Sequence, residues 1–77
     1  MKTYFALQKN RVFNGSFAQC YLWGKENLSS EEPICKLAMA RPENRHARIV
    51  GELDIHGFRF INCGRTVPVK SLRRRYG

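Results

Sequence analysis

One dipeptide limits the folds open to this chain more than any other feature. In Val12-Phe13-Asn14-Gly15-Ser16-Phe17 an Asn-Gly pair sits between apolar residues. Asn-Gly is the preferred pair for a two-residue hairpin turn, because both central positions take positive φ. Closing the turn there pairs Phe13 with Ser16, Val12 with Phe17 and Leu7 with Leu22, so residues 3–13 and 16–23 are expected to form a β-hairpin. Its two faces carry Phe5, Leu7 and Leu22 on one side and Tyr4, Val12, Phe17, Tyr21 and Trp23 on the other. With both faces partly apolar, the hairpin is expected to be covered on two sides or to close into a small barrel.

Further along, Gly24 to Ser30 reads as a loop. The segment from Ser30 to Arg41 carries helix signals: a capping serine, Glu31 and Glu32 in the first turn, Pro33 still within it, and Pro42 as a stop. Alanine, leucine and methionine favour a short helix at about 31–41 over the rival reading, a strand from Ile34 to Ala40. Residues 47–64 alternate regularly through Ile49, Gly51, Leu53 and Ile55 and through Phe58 and Phe60. They predict a second hairpin turning at His56-Gly57, with Asp54 opposite Arg59 and Gly51 marking a bulge or a close approach. The terminal segment from Gly64 begins as a short strand that Pro68 confines to an edge. From Val69 either a helical turn, with Val69, Leu72 and Tyr76 on one side, or a flexible basic tail over 70–77 is expected. The fold class that results is α+β and β-rich: two antiparallel hairpins in a small sheet or partly closed barrel, one short helix, and a basic C-terminal turn or tail. At 77 residues this is one domain, 1–77, with a modest core.

The charge is arranged as well as large. The net charge is +8, yet all six acids fall between 26 and 54. Residues 1–25 carry Lys2, Lys9, Arg11 and Lys25 without an acid, and residues 57–77 carry Arg59, Arg65, Lys70, Arg73, Arg74 and Arg75 without one. Two unopposed basic ends flank a near-neutral middle. Three consecutive arginines repel one another, which solubility alone does not require, and arginine suits bidentate contacts to phosphate and carboxylate. Tyr76 beside them is an aromatic free to stack on a base. Phe58, Phe60 and Trp23 are expected in the core.

Catalytic chemistry finds little support. His46 and His56 fall in expected loops or turns, and an RNase of the small-toxin type would need one of them against the arginines. There is no phosphate-cradling glycine loop, no nucleophile elbow and no metal motif. Cys20, Cys35 and Cys63 form no close pair of the kind zinc sites use and no disulfide framework, and they read as buried reduced thiols. No cofactor is expected. No stretch is long and apolar enough to span a bilayer or to serve as a signal peptide, so an intact cytoplasmic protein with no membrane partner is expected. The leading expectation is a non-catalytic basic module that binds nucleic acid, DNA or RNA, through backbone phosphates. Its contacts would be Arg59, Arg65, Lys70, Arg73, Arg74, Arg75 and Tyr76, joined by Lys9 and Arg11. The alternative is a small phage- or plasmid-type inhibitor that docks on an acidic protein surface.

Overall fold

The computed structural model describes residues 2–62 and 64–76, with side chains for all of these except 74–76. The elements run β1 (Thr3–Leu7), β2 (Val12–Gly15), α1 (Phe17–Glu26), β3 (Cys35–Ala40), β4 (His46–Asp54), β5 (Gly57–Phe60), β6 (Thr66–Pro68) and α2 (Val69–Tyr76). All strand pairings are antiparallel and the sheet has the order β2-β1-β3-β4-β5. The nine-residue β4 pairs with β3 along one edge. Its other edge takes β6 at the start and β5 at the end. The sheet stays open, and the α+β, β-rich class expected from the sequence is the one observed.

The expected pairing of residues 3–13 with 16–23 is corrected: most of 16–23 is the helix α1, and the hairpin that forms lies within residues 3–15. β1 pairs with β2 from Leu7–Val12 to Tyr4–Gly15, and the chain reverses over residues 8–11, where the Gln8 N–H donates to the Arg11 carbonyl at 2.9 Å. Neither Asn14 nor Gly15 takes positive φ. A capping box displaces the expected turn: Ser16 Oγ accepts from the Gln19 N–H at 3.1 Å, and Gln19 Oε1 accepts from the Ser16 N–H at 2.9 Å. From there Phe17, Cys20, Tyr21 and Gly24 fall on one helical face, and α1 lays that face on the sheet. Asn27 ends the helix, its side-chain amide donating to the Trp23 carbonyl at 2.7 Å. The buried Gln8 holds that end down by donating Nε2 to the Asn27 carbonyl at 2.8 Å.

The expected helix at 31–41 is corrected to a strand. Residues 29–32 close a small turn in which the Ser29 and Glu32 backbones and Ser29 Oγ bond one another, and Cys35–Ala40 then enters the middle of the sheet. Between β1 and β4 the segment is hydrogen-bonded on both edges, and its side chains alternate between two buried faces. That gain outweighs the helix propensity of its alanines and leucine.

The second hairpin forms with a shifted register. Each residue of β5 pairs two positions earlier on β4 than expected, so Arg59 faces Glu52 and Phe58 faces Leu53. A turn centred on His56-Gly57 would need positive φ at His56. Instead Asp54 Oδ1 accepts from the His56 N–H at 2.8 Å, Ile55 and His56 form the loop, and only Gly57 takes positive φ, +117°. Gly51 is both a bulge residue and a close approach. Ala38 pairs with Ile49 while Leu37 pairs with Gly51, so Val50 is an extra residue in β4. A Cβ on Gly51 would run into the Phe58 ring and lie 2.7 Å from the Arg59 carbonyl oxygen.

The bulge divides β4 between two cores. Before it, Ala47 and Ile49 join Phe5, Val12, Ala38, Ala40 and Leu72 on the face covered by α2. After it, Leu53 joins Ala6, Cys20, Cys35 and Leu37 on the face covered by α1. The expected cover on two sides is therefore supplied by two helices rather than by closure into a barrel. The C-terminal segment is helical, with Leu72 fully buried and Val69 packed beside it. Pro68 lies on the edge strand β6, as expected.

Candidate phosphate-binding site

Sheet register decides which cations meet. Thr3 pairs with Ala40, Met39 with Arg48 and His46 with Pro68. The start of β1, the end of β3, the start of β4 and the end of β6 therefore lie at one end of the sheet. The turn at 41–44, closed by the Asn44 N–H donating to the Arg41 carbonyl at 2.9 Å, projects from that end. The first amide of α2, at Val69, donates to the Arg45 carbonyl at 2.9 Å, which ties the helix start to the same loop.

Two hollows open there. One of about 220 Å³ is lined by Lys2, Thr3, Asn14, Ala40, Arg41, Pro42, Asn44, Val69 and Arg73. The other, about 510 Å³, is lined by Asn44, Arg45, Val69, Lys70 and Arg73, so the two share Asn44, Val69 and Arg73. Five cations thus line two adjoining hollows, with hydrogen-bonding Thr3, Asn14 and Asn44 between them and no acid in either lining. Glu43 belongs to the same turn but lines neither hollow. Among the described residues the ion pair found is Arg59 to Glu52 at 3.0 Å, so none of the five has a carboxylate partner. A cluster of like charges without counter-charge is held together at an electrostatic cost, which a polyanion removes.

The residues singled out from the sequence divide. Lys70 and Arg73 line the hollows. Arg74 and Arg75 follow in the last turn of α2, where positive charge also suits the helix dipole; their side chains and that of Tyr76 lie outside the described residues, as does Cys63. Arg59, on β5, is paired with Glu52 of β4. Arg65 is exposed in the connection to β6 and lines neither hollow. Lys9 and Arg11 sit at the opposite end of the sheet, beyond the Leu7–Val12 pair, and the Arg11 guanidinium lies 5.1 Å from the centre of the Trp23 ring. That ring is itself stacked on Phe13 at 5.6 Å. Arg41 and Arg45, from the near-neutral middle, are the contributors that charge density along the chain did not indicate, while Lys2 belongs to the acid-free N-terminal stretch.

Other chemistry has less behind it. His56 is in the β4–β5 turn, far along the sheet from the cations, and His46 opens β4, exposed, and lines neither hollow. The Cys20 and Cys35 thiols are fully buried on the α1 face, and burial pushes both up to about 11. Among the described residues no three His, Cys, Asp or Glu side chains gather as metal ligands, and no helix is long and apolar enough to cross a membrane. Phe58 and Trp23 are half-buried, whereas Phe60, expected in the core, is 79% exposed. The chain matches no protein-family model, no curated protein and no solved structure.

Proposed function

We propose that this chain is a non-catalytic nucleic-acid-binding module that grips backbone phosphates at the end of the sheet where α2 begins. One observation carries the reading: Lys2, Arg41, Arg45, Lys70 and Arg73 line two adjoining hollows with no acid in their lining and, among the described residues, no ion pair. Such a site recognises charge and spacing rather than base sequence, so its affinity should be strongly salt-dependent. The two unpaired, buried thiols suit a reducing compartment, and we place the activity in the cytoplasm.

The test is binding of labelled DNA and RNA oligonucleotides over a series of salt concentrations. If the five cations contact about five phosphates, log affinity should fall against log salt with a slope of about −4.5 for duplex DNA. Replacing Lys2, Arg41, Arg45, Lys70 and Arg73 by alanine should remove most of that slope, while Arg59→Ala should leave it nearly unchanged. Absence of binding at low ionic strength would sink the proposal. The second reading, an inhibitor docking on an acidic protein surface, would then take its place. Two large exposed aromatics grouped away from the cations would favour that reading. Among the described residues Phe60 alone is an exposed aromatic of that kind.

A further inference from the structure

On the α1 face, at the same end of the sheet as the cations, lies a groove of about 320 Å³. Its walls are Tyr4, Phe17, Phe60 and Ile61, and its polar groups include Arg48 and Asn62; no acid lines it. Its volume is at the small end of the range of small-molecule sites, large enough for one planar ring system. A lone exposed apolar side chain needs no explanation, but Phe60 is not alone. It stands edge-on to Phe58 at 4.9 Å, Phe58 meets Phe17 at 5.3 Å, and Phe17 meets Tyr4 at 5.3 Å, so the exposed ring is the outermost member of a braced aromatic row. The one charge in the groove is held in place as well: Arg48 donates to Asn62 Oδ1 at 3.1 Å.

The groove is also continuous with the cation cluster through the backbone. Successive side chains of a strand point to opposite faces. Thr3, which lines the smaller cation hollow, is therefore followed by Tyr4, which lines the groove on the other face. A chain that leaves the phosphates at Lys2 and Arg41 meets Arg48 and the aromatic row on rounding the end of the sheet. A rigid aromatic platform, a fixed guanidinium, no acid, and adjacent phosphate contacts are together the chemistry that holds a single strand. In a duplex the bases are stacked inward and cannot enter.

We propose that this groove takes an unstacked base of single-stranded nucleic acid, stacked on Phe60, with Arg48 on the neighbouring phosphate. The proposal rests on the nucleic-acid reading above and sharpens it from any polyanionic strand to a single strand.

The experiment compares three labelled probes of about ten nucleotides, within the span of one small single-strand-binding domain: an oligothymidylate, an abasic strand with the same number of phosphates, and a duplex. Each is titrated against the wild type, Phe60→Ala and Phe60→Trp, in a Trp23→Phe background for the last. Because Phe60 is mostly exposed, both variants should fold, which thermal melting checks. Phe60→Ala should weaken the oligothymidylate about tenfold, the effect of losing one stacked base, and leave the duplex within about twofold. The abasic strand should bind the wild type about as weakly as the oligothymidylate binds Phe60→Ala. Tryptophan at 60 should restore binding, and its emission should be quenched by the base-bearing strand and not by the abasic one. Equal affinity for base-bearing and abasic strands, or an unchanged affinity in Phe60→Ala, overturns the proposal while leaving phosphate binding intact. No binding of any probe overturns both readings together.

Discussion

The two faces of the sheet solve the same packing problem with different materials. On the α2 face the core residues are mostly small: Ala38, Ala40 and Ala47, with Val12, Ile49 and one large ring, Phe5. An eight-residue helix can sit close on such a surface with Val69 and Leu72 as its anchors, which leaves Lys70 exposed and Arg73 at the rim beside Thr3, Asn14 and Ala40. On the α1 face the floor of Ala6, Cys35, Leu37 and Leu53 is surrounded by half-buried rings, Tyr4, Phe13, Phe17, Tyr21, Trp23 and Phe58. Phe17, Tyr21 and Trp23 belong to α1 itself, and the row that Phe17 makes with Tyr4 and Phe58 ends in the open at Phe60. The flat, tightly covered face turns charge outward. The bulky, incompletely covered face leaves an aromatic groove. In this small chain each candidate contact surface follows from how the core beneath it was filled.

That contrast can be broken most directly at Leu72. Leu72→Ala removes a fully buried anchor of a helix that has few others, and should cost about 3 kcal/mol. Chemical denaturation should show the loss, and oligonucleotide binding should fall with it as Lys70 and Arg73 lose their placement. A midpoint unchanged from the wild type would mean that α2 is not part of the α2-face core. Gly51→Ala tests the other face. Its methyl would press on the Phe58 ring and the Arg59 carbonyl, and the overpacking should cost about 2 kcal/mol, lowering Tm by roughly 10 °C. Relief of much of that loss by the double variant Gly51→Ala/Phe58→Leu would locate the clash at the ring. Ser16→Ala should cost about 1 kcal/mol by opening the capping box at the start of α1. Phosphate binding on the opposite face should be unaffected, which salt-dependent titration would check.

The smallest effect at neutral pH is also the most selective for one face. Cys20 and Cys35 both belong to the α1-face core, and burial raises both from 9.0 to about 11. The unfolded chain therefore gives up these protons more readily than the folded one. The contribution to stability is complete below about pH 9 and is lost as pH rises towards about 11. Denaturation midpoints measured from pH 8 to 11 should fall with rising pH in the wild type. They should fall less in the Cys20→Ala/Cys35→Ala variant; equal slopes would dissociate the thiols from the effect.

How much of this was legible in the sequence depended on whether the deciding interactions were local. The alternation through Ile49, Leu53, Phe58 and Phe60 identified a hairpin, Pro68 an edge and Gly51 an irregularity, whereas the sequence from Val69 suits a helical turn and a flexible tail alike. The Asn14-Gly15 turn failed although its chemistry was correctly read. Ser16 and Gln19 form an equally local signal three residues apart, and the helix they start buries Cys20 and much of Phe17 and Tyr21, which a two-residue turn does not. The segment 35–40 failed for a non-local reason, since its strand form depends on partners on both edges. The same holds for the site. Arginine density pointed to Lys70 and Arg73, but Lys2 and Arg41 join them because β1 lies beside β3 with Thr3 against Ala40. Arg45 joins them because its carbonyl receives the first amide of α2. No pattern within either segment foretells those contacts.

The extra residue in β4 bears on how such a chain can change length. Through Ile49 the strand is read in one phase, and from Gly51 in the other. Deleting Val50 would make Ile49 and Gly51 neighbours opposite the neighbours Ala38 and Leu37, so the ladder would become regular and Leu53 would keep its face. The bulge is thus the one place in β4 where a residue can be lost without turning Glu52 and Asp54 toward the rings and thiols of the α1 face. Among descendants of this chain, a shortening of β4 by one residue is expected at position 50.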